Sequence, residues 1–478
     1  MLVWVRSMST PAAPASSVKW IWLVFAVVVT AGIALMPTPM GLTRLAHITL
    51  AIIAGTVVLW AAEVLNQGVA SMLMIAAMIT AGVPPPLALS GFSDGAWWTL
   101  LVVVYYGFAM KKTGLAERVA YYILSLFPGT FTGILTAFFL IGFVLALGIP
   151  SMTVRTAIMA PIAWSLVQSL GLPPRSRSAG LVMITVIEMA VVPGLAFELG
   201  SLNGPIVVSM FAAKKLPLTW GSYAQFMTLP TLVMCGLILA LNQILLKPEA
   251  PIKASRAFAT DKLASMGPFK QQEMLTALVV LASIGFWVTN PTLHKLPTFV
   301  VGMFGLGVLT LGGIIKDSDI GTGVSWTILL FLGGIFSLTH VIPEYKITDW
   351  IASLLVPQMQ PLIGSPIALL TVAALMMLGM RFIDPSAFIV LPLIWTPLVD
   401  AVSAAGIPPL ALAAPLLLCS APFWLPYMNF WMAMGDGITG KQGFTKGQLA
   451  YLGTIYAAAA IIATAVGVVY WRLMGLMH

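Results

Sequence analysis

Charged residues are scarce in this chain. Asp, Glu, Lys and Arg together make up 8% of its 478 residues, whereas hydrophobic residues make up 60% and the mean hydropathy is +1.01. Soluble domains carry about 25% charged residues, so this composition excludes the soluble globular class. Lipid must be the solvent for most of the surface, and the chain is predicted to be an all-α polytopic membrane protein.

Cysteine, histidine and acidic residues are also few. Cys235 and Cys419 lie in apolar segments without metal-ligand spacing, and the four histidines form no cluster. A membrane enzyme would need a nucleophile with a base, or a metal centre, near one face of the membrane. The scattered residues provide neither arrangement. We therefore predict that the chain is not an enzyme and holds neither a metal site nor a cofactor.

Basic residues outnumber acidic ones, for a net charge of +8, but they cluster in particular loops. This distribution is typical of positive-inside membrane topology, not of a nucleic-acid partner. The largest cluster lies in the polar stretch 247–270, a predicted cytoplasmic linker between two apolar halves, 20–246 and 271–478. Residues 1–19 lack the apolar core and cleavage site of a removable signal, so they are predicted to be a cytoplasmic tail.

Apolar runs of about 20 residues predict the helices that cross the membrane. About eleven spans are predicted, near 20–36, 44–62, 67–82, 96–110, 179–212, 222–246, 272–290, 296–315, 325–341, 410–435 and 447–472. An amphipathic segment at 114–127 is expected to lie along the membrane surface. Two further regions, near 131–170 and 352–405, are apolar but interrupted, and each is predicted to form a re-entrant hairpin.

The two interruptions resemble each other in sequence. Pro150-Ser151 is followed at 171–174 by Gly-Leu-Pro-Pro, and Pro385-Ser386, 235 positions later, is followed at 406–409 by Gly-Ile-Pro-Pro. Breaks at matching positions of two hydrophobic halves are typical of the binding site of a secondary transporter. Counting crossings places the hairpins on opposite membrane faces, which predicts inverted repeats, a cytoplasmic N-terminus and an external C-terminus.

With these features the chain resembles the divalent anion–sodium symporter family, the dicarboxylate, citrate and sulfate carriers. The resemblance rests on Lys112–Leu115 with Arg118–Ala120, Ser151–Thr153 where the family carries Ser-Asn-Thr, Phe197–Ile206 where a family helix is broken, and Leu425-Pro426 leading to Gly435–Gly437. It implies a multi-pass protein of the inner membrane and a homodimer. It also implies a fixed scaffold and a transport domain that moves by an elevator mechanism.

The resemblance also places candidate substrate contacts at the breaks. Backbone N–H groups at helix N-termini carry a partial positive charge and suit an anion. Hydroxyl and amide side chains complete the predicted site, namely Ser151, Thr153, Ser201, Ser386 and Asn429. The alternative is that these hydroxyls bond to the backbone of their own helices.

Sodium is the candidate coupling ion. In the family it is bound by the asparagine of each Ser-Asn-Thr motif and by backbone carbonyls of the broken helices, oxygen ligands that suit a hard cation. Gly200 preserves one of these backbone positions, but Met152 and Ala387 stand where the asparagines are expected. Neither residue has a side-chain oxygen, so the sequence leaves sodium coupling, proton coupling and exchange open.

Four ionisable residues in apolar segments complete the candidate site. Arg155 is a candidate for clamping a substrate carboxylate or for supplying the positive charge of a coupling ion, and snorkelling to cytoplasmic water is the alternative. Arg381 is the other candidate substrate contact, unless it pairs with Asp384 instead. Glu188 and Glu198 are candidate proton carriers, unless either one neutralises an arginine.

We therefore expect a secondary active transporter of small anions, with di- and tricarboxylates as substrates and the lipid bilayer as its surroundings. Exchange against an internal anion, or proton coupling without sodium, is the alternative mechanism. A cation antiporter of the same superfamily would need paired carboxylates at the crossing point, where this chain has serines and arginines. An anion channel is disfavoured because reciprocal breaks in inverted halves favour alternating access.

Overall fold

The computed structural model describes residues 16–62, 64–252, 257–382, 387–425 and 428–477. In these ranges the regular elements are helices and there is no strand. This confirms the predicted all-α fold.

Twelve α-helices are described in the first half. In chain order they are α1 Ser16–Leu35, α2 Arg44–Ala61, α3 Gln67–Thr80, α4 Pro85–Ala88, α5 Ser90–Ser93, α6 Gly95–Thr113, α7 Leu115–Leu126, α8 Phe131–Gly148, α9 Met152–Ser169, α10 Arg177–Val191, α11 Asn203–Ala213 and α12 Trp220–Leu245. A 3-10 turn, Val192–Ala196, directly follows α10. The amphipathic segment predicted at 114–127 is helix α7.

Eleven α-helices are described in the second half and the linker that precedes it. They are α13 Ala257–Ser265, α14 Gln271–Thr289, α15 Thr298–Leu311, α16 Asp317–Thr322, α17 Trp326–Glu344, α18 Ile347–Ile363, α19 Pro366–Met380, α20 Val390–Ala404, α21 Pro409–Leu418, α22 Phe430–Ile438 and α23 Lys446–Leu473. The short helix α13 lies within the polar linker.

Seven of the described helices are long and apolar enough to cross a membrane, which supports the polytopic class. They are α2, α8, α10 with its 3-10 turn, α12, α14, α17 and α23. Shorter apolar helices of 10–17 residues accompany them, so the total of about eleven spans stays a prediction. All residues of the apolar window in Arg177–Ala196 are buried inside the protein, which makes α10 a central helix.

Local sequence determines where the helices around this centre begin. Thr130, Ser151 and Ser176 directly precede α8, α9 and α10, and each side-chain oxygen accepts the backbone N–H three residues further on. Such caps satisfy one of the N–H groups that a helix N-terminus leaves without an intrahelical partner. The serine and threonine positions therefore fix the start of each helix.

The described residues up to Asp94 pack with Ser325–Leu354 to form the smaller of two compact units. In this unit α17 lies against α3 and α5. The Gly91 N–H donates to Ser337 Oγ at 3.0 Å, and a Cβ on Gly91 would overlap the carbonyl oxygen of Gly333. Helix α17 of the second half is thus an integral part of a unit otherwise built from the first half.

Residues Gly95–Val324 and the chain from Leu355 onward form the larger unit. Here α6 of the first half lies against α14 and α15 of the second. The Tyr106 hydroxyl forms hydrogen bonds with Ser283 Oγ at 2.9 Å and with the Gly302 carbonyl at 3.0 Å. Each compact unit therefore combines parts of both sequence halves.

The second interrupted region differs in extent from the hairpin expected at 352–405. Helix α18 occupies its first part, and the two arms around the break are α19 and α20. Helix α8 begins at Phe131 and helix α19 begins at Pro366. These two starts are 235 positions apart, the same offset as between the two Pro-Ser sequences. Hydropathy merges α18 with α19 because only the short turn at 364–365 separates them. The inverted relation of the halves stays a prediction.

Candidate functional site

The first half carries two interruptions, both in the larger unit. Helix α8 ends at Gly148 and α9 begins at Met152, so residues 149–151 form the tip of the first hairpin. Helix α10 ends at Val191, and after the 3-10 turn the next α-helix begins only at Asn203. In apolar surroundings, backbone groups freed by such breaks must find partners in the protein or in a polar cavity.

Arg155 donates hydrogen bonds to backbone carbonyls at both interruptions. Its side chain is fully buried, and Nη1 donates to the carbonyl oxygens of Ile149 at 2.5 Å and Gly200 at 2.6 Å. Nε donates to the carbonyl of Ala190 at 2.6 Å, and Nη2 donates to that of Val191 at 3.4 Å. Three of these carbonyls terminate α8 or α10, where the helix dipole is negative. The guanidinium thus joins the hairpin tip to the broken helix through backbone oxygens.

Gly194 and Gly200 allow this close arrangement. A Cβ on Gly200 would overlap the carbonyl oxygen of Gly194. A Cβ on Gly194 would overlap both the Gly200 carbonyl oxygen and the Arg155 guanidinium. The chain therefore folds back on itself within the break, backbone against backbone. Gly200, whose backbone the family resemblance places in a sodium site, here directs its carbonyl oxygen to Arg155.

The N-terminus of α9 carries two of the predicted substrate residues. Ser151 is 9% exposed, and its Oγ accepts the N–H of Val154 at 3.3 Å, so the hydroxyl caps α9 and can still donate its own hydrogen. Thr153 Oγ1 accepts a hydrogen bond from Trp431 Nε1 at 3.2 Å. Trp431 lies in the first turn of α22, so the first hairpin contacts the break of the second half.

The break of the second half lies between α21 and α22. Asn429 caps α22, because its Oδ1 accepts the Met432 N–H at 3.1 Å. Its Nδ2 donates to the Ala421 carbonyl at 3.0 Å, and the side chain is buried. Both polar atoms of this predicted substrate residue therefore contact the backbone of the break itself.

The two broken helices are also in contact with each other. Asn203, the first residue of α11, donates through Nδ2 to Ser420 Oγ at 3.3 Å. Within the described part of the chain, Ser201 Oγ and Asn203 Oδ1 are buried and have no hydrogen-bond partner. Buried polar atoms without partners are rare in folded proteins. This region therefore has the donor and acceptor capacity to bind a polar ligand.

Arg381, like Arg155, is a buried arginine that donates to a backbone carbonyl at a break. It follows the last residue of α19, the first arm of the second hairpin, and its side chain is buried. Its Nη2 donates at 2.7 Å to the carbonyl of Met428, which lies in the second break. Ser386 and Asp384 lie outside the described residues, and so does the expected pairing of Arg381 with Asp384.

The two candidate proton carriers lie in different surroundings. Glu188 is a buried residue of α10, and its Oε2 accepts a hydrogen bond from Asn242 Nδ2 of α12 at 2.7 Å. Glu198 lies in the first break, also buried, and interacts electrostatically with Tyr223 of α12. Among the ion pairs of the described residues, neither glutamate is paired with an arginine.

Three polar residues that contact the candidate site residues were not predicted from the sequence. They are Asn203, Ser420 and Asn242. Each lies in an apolar segment, and a polar side chain at membrane depth is itself a signal of a functional or structural contact. Asn203 stands inside the motif that carries the family resemblance, so that signal was present. The partners of Ser420 and Asn242 are distant in sequence, so only the fold identifies them.

A polytopic helical protein with interrupted apolar helices in both sequence halves and buried polar groups at the breaks belongs to the class of secondary transporters. The sodium:sulfate symporter transmembrane region matches residues 17–477, so the chain belongs to the sodium:sulfate symporter family. This confirms the predicted membership of the divalent anion–sodium symporters. Because the family is one of transporters, the prediction that the chain is not an enzyme is also confirmed.

Individual relatives are similar at about one quarter identity. The Escherichia coli inner membrane protein YbhI is 26% identical over 353 residues, which cover 70% of this chain and 73% of YbhI. The putative malate transporter YflS of Bacillus subtilis is 25% identical over 347 residues, 71% of this chain and 72% of YflS. Dicarboxylate transporter 1, chloroplastic, of Arabidopsis thaliana is 25% identical over 332 residues, 67% of this chain. The match spans 59% of that plant protein.

One solved structure shares the fold. The Alcanivorax borkumensis YdaH transporter superposes with a TM-score of 0.57, and the match covers 81% of this chain and 87% of YdaH. The sequence identity is 14%, so the likeness concerns the fold alone.

Proposed function

We propose that this protein is a secondary active carrier of small anions, with di- and tricarboxylates as its substrates. The observation that carries the proposal is the linkage of three half-helix N-termini in the larger unit, those of α9, α11 and α22. Trp431 of α22 donates to Thr153 of α9, and Asn203 of α11 donates to Ser420, next to Ala421, whose carbonyl accepts from the α22 cap Asn429. Each N-terminus presents backbone N–H groups with a partial positive charge, and together they suit a carboxylate in a dry site.

Side chains at the breaks complete the proposed anion site. Ser151 retains a hydroxyl donor, while Ser201 and Asn203 have buried polar atoms without partners in the described part of the protein. Ser386 is the proposed counterpart of Ser151 in the second hairpin. Thr153 binds the Trp431 side chain, and Asn429 holds the surrounding backbone. A dicarboxylate needs donors at two separated positions, which two hairpins and two broken helices provide. The names of the plant dicarboxylate transporter and the putative malate transporter support this substrate class.

Arg155 is proposed to act as a fixed positive charge in the place of one sodium ion. Four backbone carbonyl oxygens surround its guanidinium, and carbonyl oxygens are the ligands that hard cations prefer. Met152, at the hairpin tip, has no oxygen to add. A permanent cation here makes the first hairpin independent of external sodium, so we favour exchange or proton coupling over sodium symport. The family name supports sodium as the alternative coupling ion.

The larger unit is the proposed transport domain of an elevator mechanism, because it contains the described candidate residues of the site. The proposal further includes a homodimer in the inner membrane, with the N-terminus in the cytoplasm and the C-terminus outside. The elevator movement and the dimer come from the family resemblance, and the orientation comes from the charge distribution of the loops.

Counterflow in proteoliposomes tests this function. Vesicles loaded with unlabelled malate should accumulate labelled malate in potassium buffer without sodium, whereas empty vesicles and vesicles loaded with acetate should not. A pH gradient imposed on empty vesicles tests proton coupling separately. Sulfate and citrate serve as competing anions, which rank the substrate class.

Two outcomes separate the parts of the proposal. Malate uptake that requires external sodium would contradict the role of Arg155 and leave the anion carrier intact. Absence of counterflow with every dicarboxylate, tricarboxylate and sulfate, from protein that remains monodisperse and thermally folded, would contradict the anion carrier itself.

A further inference from the structure

Away from the proposed substrate contacts, Glu188 and Asn242 form a buried polar contact between α10 and α12. Both side chains are at most 1% exposed. Asn242 Nδ2 donates to Glu188 Oε2 at 2.7 Å and to Thr185 Oγ1 at 3.0 Å, so both amide hydrogens are used. Glu188 Oε1 and Asn242 Oδ1 are then left as two buried acceptors without a donor from the described residues.

Among the ion pairs of the described residues, none involves Glu188. Glu188 interacts with Cys235 of α12 and with Tyr456 of α23, whose hydroxyl donates to the Leu418 carbonyl and which also interacts with Arg381. Arg155 of α9 directs its donors to backbone carbonyls, and Asp436 of α22 interacts with Lys441 instead. Helix α8 has no titratable residue. An ionised Glu188 would therefore be a buried charge with one hydrogen bond, which is strongly unfavourable.

We propose that Glu188 holds a proton on Oε1 at neutral pH and forms a cyclic acid–amide pair with Asn242. The proton turns Oε1 into a donor, and its acceptor is Oδ1 of the amide that already donates to Oε2. One proton thus satisfies both of the atoms that have no other partner. Two hydrogen bonds then hold α10, which leads into the first break, against α12.

This proton is resident and is not exchanged during transport, because it belongs to the packing between two helices. Glu188 is therefore a positioning residue for the broken helix, and proton coupling, where it occurs, uses another group. Glu188→Gln is the decisive variant. A glutamine can accept from Asn242 Nδ2 and donate to Oδ1, so it reproduces both hydrogen bonds without a titratable proton.

Infrared spectroscopy of the purified protein tests the proton directly. The difference spectrum of the native protein minus Glu188→Gln at neutral pH should contain the carbonyl stretch of a carboxylic acid, shifted in deuterated buffer. Carboxylate bands in its place would overturn the proposal. This measurement needs no substrate, so its result is independent of the proposed anion transport.

The pH dependence of thermal stability gives a second test. In the unfolded protein, a glutamic acid loses its proton above about pH 4.3. Above that pH, as long as the buried carboxyl stays protonated, the folded protein therefore holds one proton more than the unfolded protein. Stability should therefore decrease as pH rises. From about pH 5 to about pH 8 the melting temperature of the native protein should fall more than that of Glu188→Gln. Parallel curves for the two proteins would contradict the resident proton.

Transport completes the comparison. Glu188→Gln should keep the native melting temperature at low pH and the native counterflow rate, with an unchanged pH profile of uptake. Loss of proton-driven uptake in a stable Glu188→Gln protein would overturn the resident proton and make Glu188 a coupling group. Asn242→Ala removes one partner of the pair and should lower the melting temperature. If that variant does not fold, Glu188→Gln still decides the question.

Discussion

At the scale of single residues, Arg155 determines the local structure of the site. A buried arginine normally requires a carboxylate, but here backbone carbonyls at the ends of two helices provide the negative potential. Four carbonyl oxygens accept from one side chain, and the glycines at 194 and 200 bring the chain close enough for this. The same geometry supports the proposal that the guanidinium replaces a hard cation.

Arg155→Ala should destabilise the protein and create a sodium-dependent melting temperature. The substitution leaves four buried carbonyl groups without donors, and each unsatisfied group costs about 1–3 kcal/mol, so a total loss of at least roughly 4 kcal/mol is expected. Sodium can enter among the exposed carbonyl oxygens and restore part of the stability, whereas choline cannot. Thermal unfolding in sodium chloride and in choline chloride measures the effect.

Arg155→Lys is the matched control for this experiment. A lysine keeps a positive charge among the same carbonyl oxygens, which accept from the native guanidinium. It should therefore destabilise the protein less than Arg155→Ala and show no preference for sodium, because the retained charge repels a second cation. An equal sodium effect in the two variants would contradict the proposed role of Arg155.

At the scale of elements, the first broken helix depends on backbone contact between its two glycines. Gly200→Ala should lower the stability by about 3 kcal/mol and abolish counterflow, because its Cβ would overlap the carbonyl oxygen of Gly194. Gly236→Ala in the middle of α12 is the control, since no atom lies within 4 Å of its added Cβ. That change should leave stability equal or raise it by up to about 1 kcal/mol. Thermal unfolding and uptake of the two variants check the prediction, and equal behaviour would contradict it.

The contact between α9 and α22 predicts a coupling between Trp431 and Thr153. Trp431→Phe keeps an aromatic ring but removes the Nε1 donor, and Thr153→Val removes the acceptor at nearly equal volume. Each single variant should weaken malate binding, and the double variant should weaken it little further. A coupling free energy of about 0.5–1.5 kcal/mol is expected from a double-mutant cycle on malate affinity. Strictly additive effects would show that this hydrogen bond does not organise the site.

The elements of the site were predictable from sequence only where the signal is local. Gly148 and Pro150 mark the tip of the first hairpin, and Ser151 caps α9 as its position beside Pro150 suggests. The hydrogen-bond partners could not be predicted, because Asn203 and Ser420 are 217 positions apart and Glu188 and Asn242 are 54 positions apart. Hydropathy also merged α18 with α19, since both are apolar and the turn between them is short.

At the scale of the whole molecule, the division into compact units does not follow the sequence halves. Helix α17 of the second half packs with α3 and α5 in the smaller unit, whereas α6 of the first half packs with α14 and α15 in the larger one. Hydropathy indicates whether a segment can lie in the membrane. It does not indicate which other segments that segment packs against. The units therefore could be found only from the packing.

The orientation of the whole chain in the membrane gives the last prediction, which cysteine labelling checks. Both native cysteines are fully buried, so the unmodified protein should not react with a membrane-impermeant maleimide and provides the blank. Lys262→Cys, in the exposed part of the linker, should react only in inside-out vesicles, because the basic linker is proposed to be cytoplasmic. Lys295→Cys, exposed between α14 and α15, should react only in right-side-out vesicles if the candidate span α14 crosses the membrane between the two positions. Reaction of both variants from the same side would exclude α14 as a span, and the reverse pattern would invert the proposed topology.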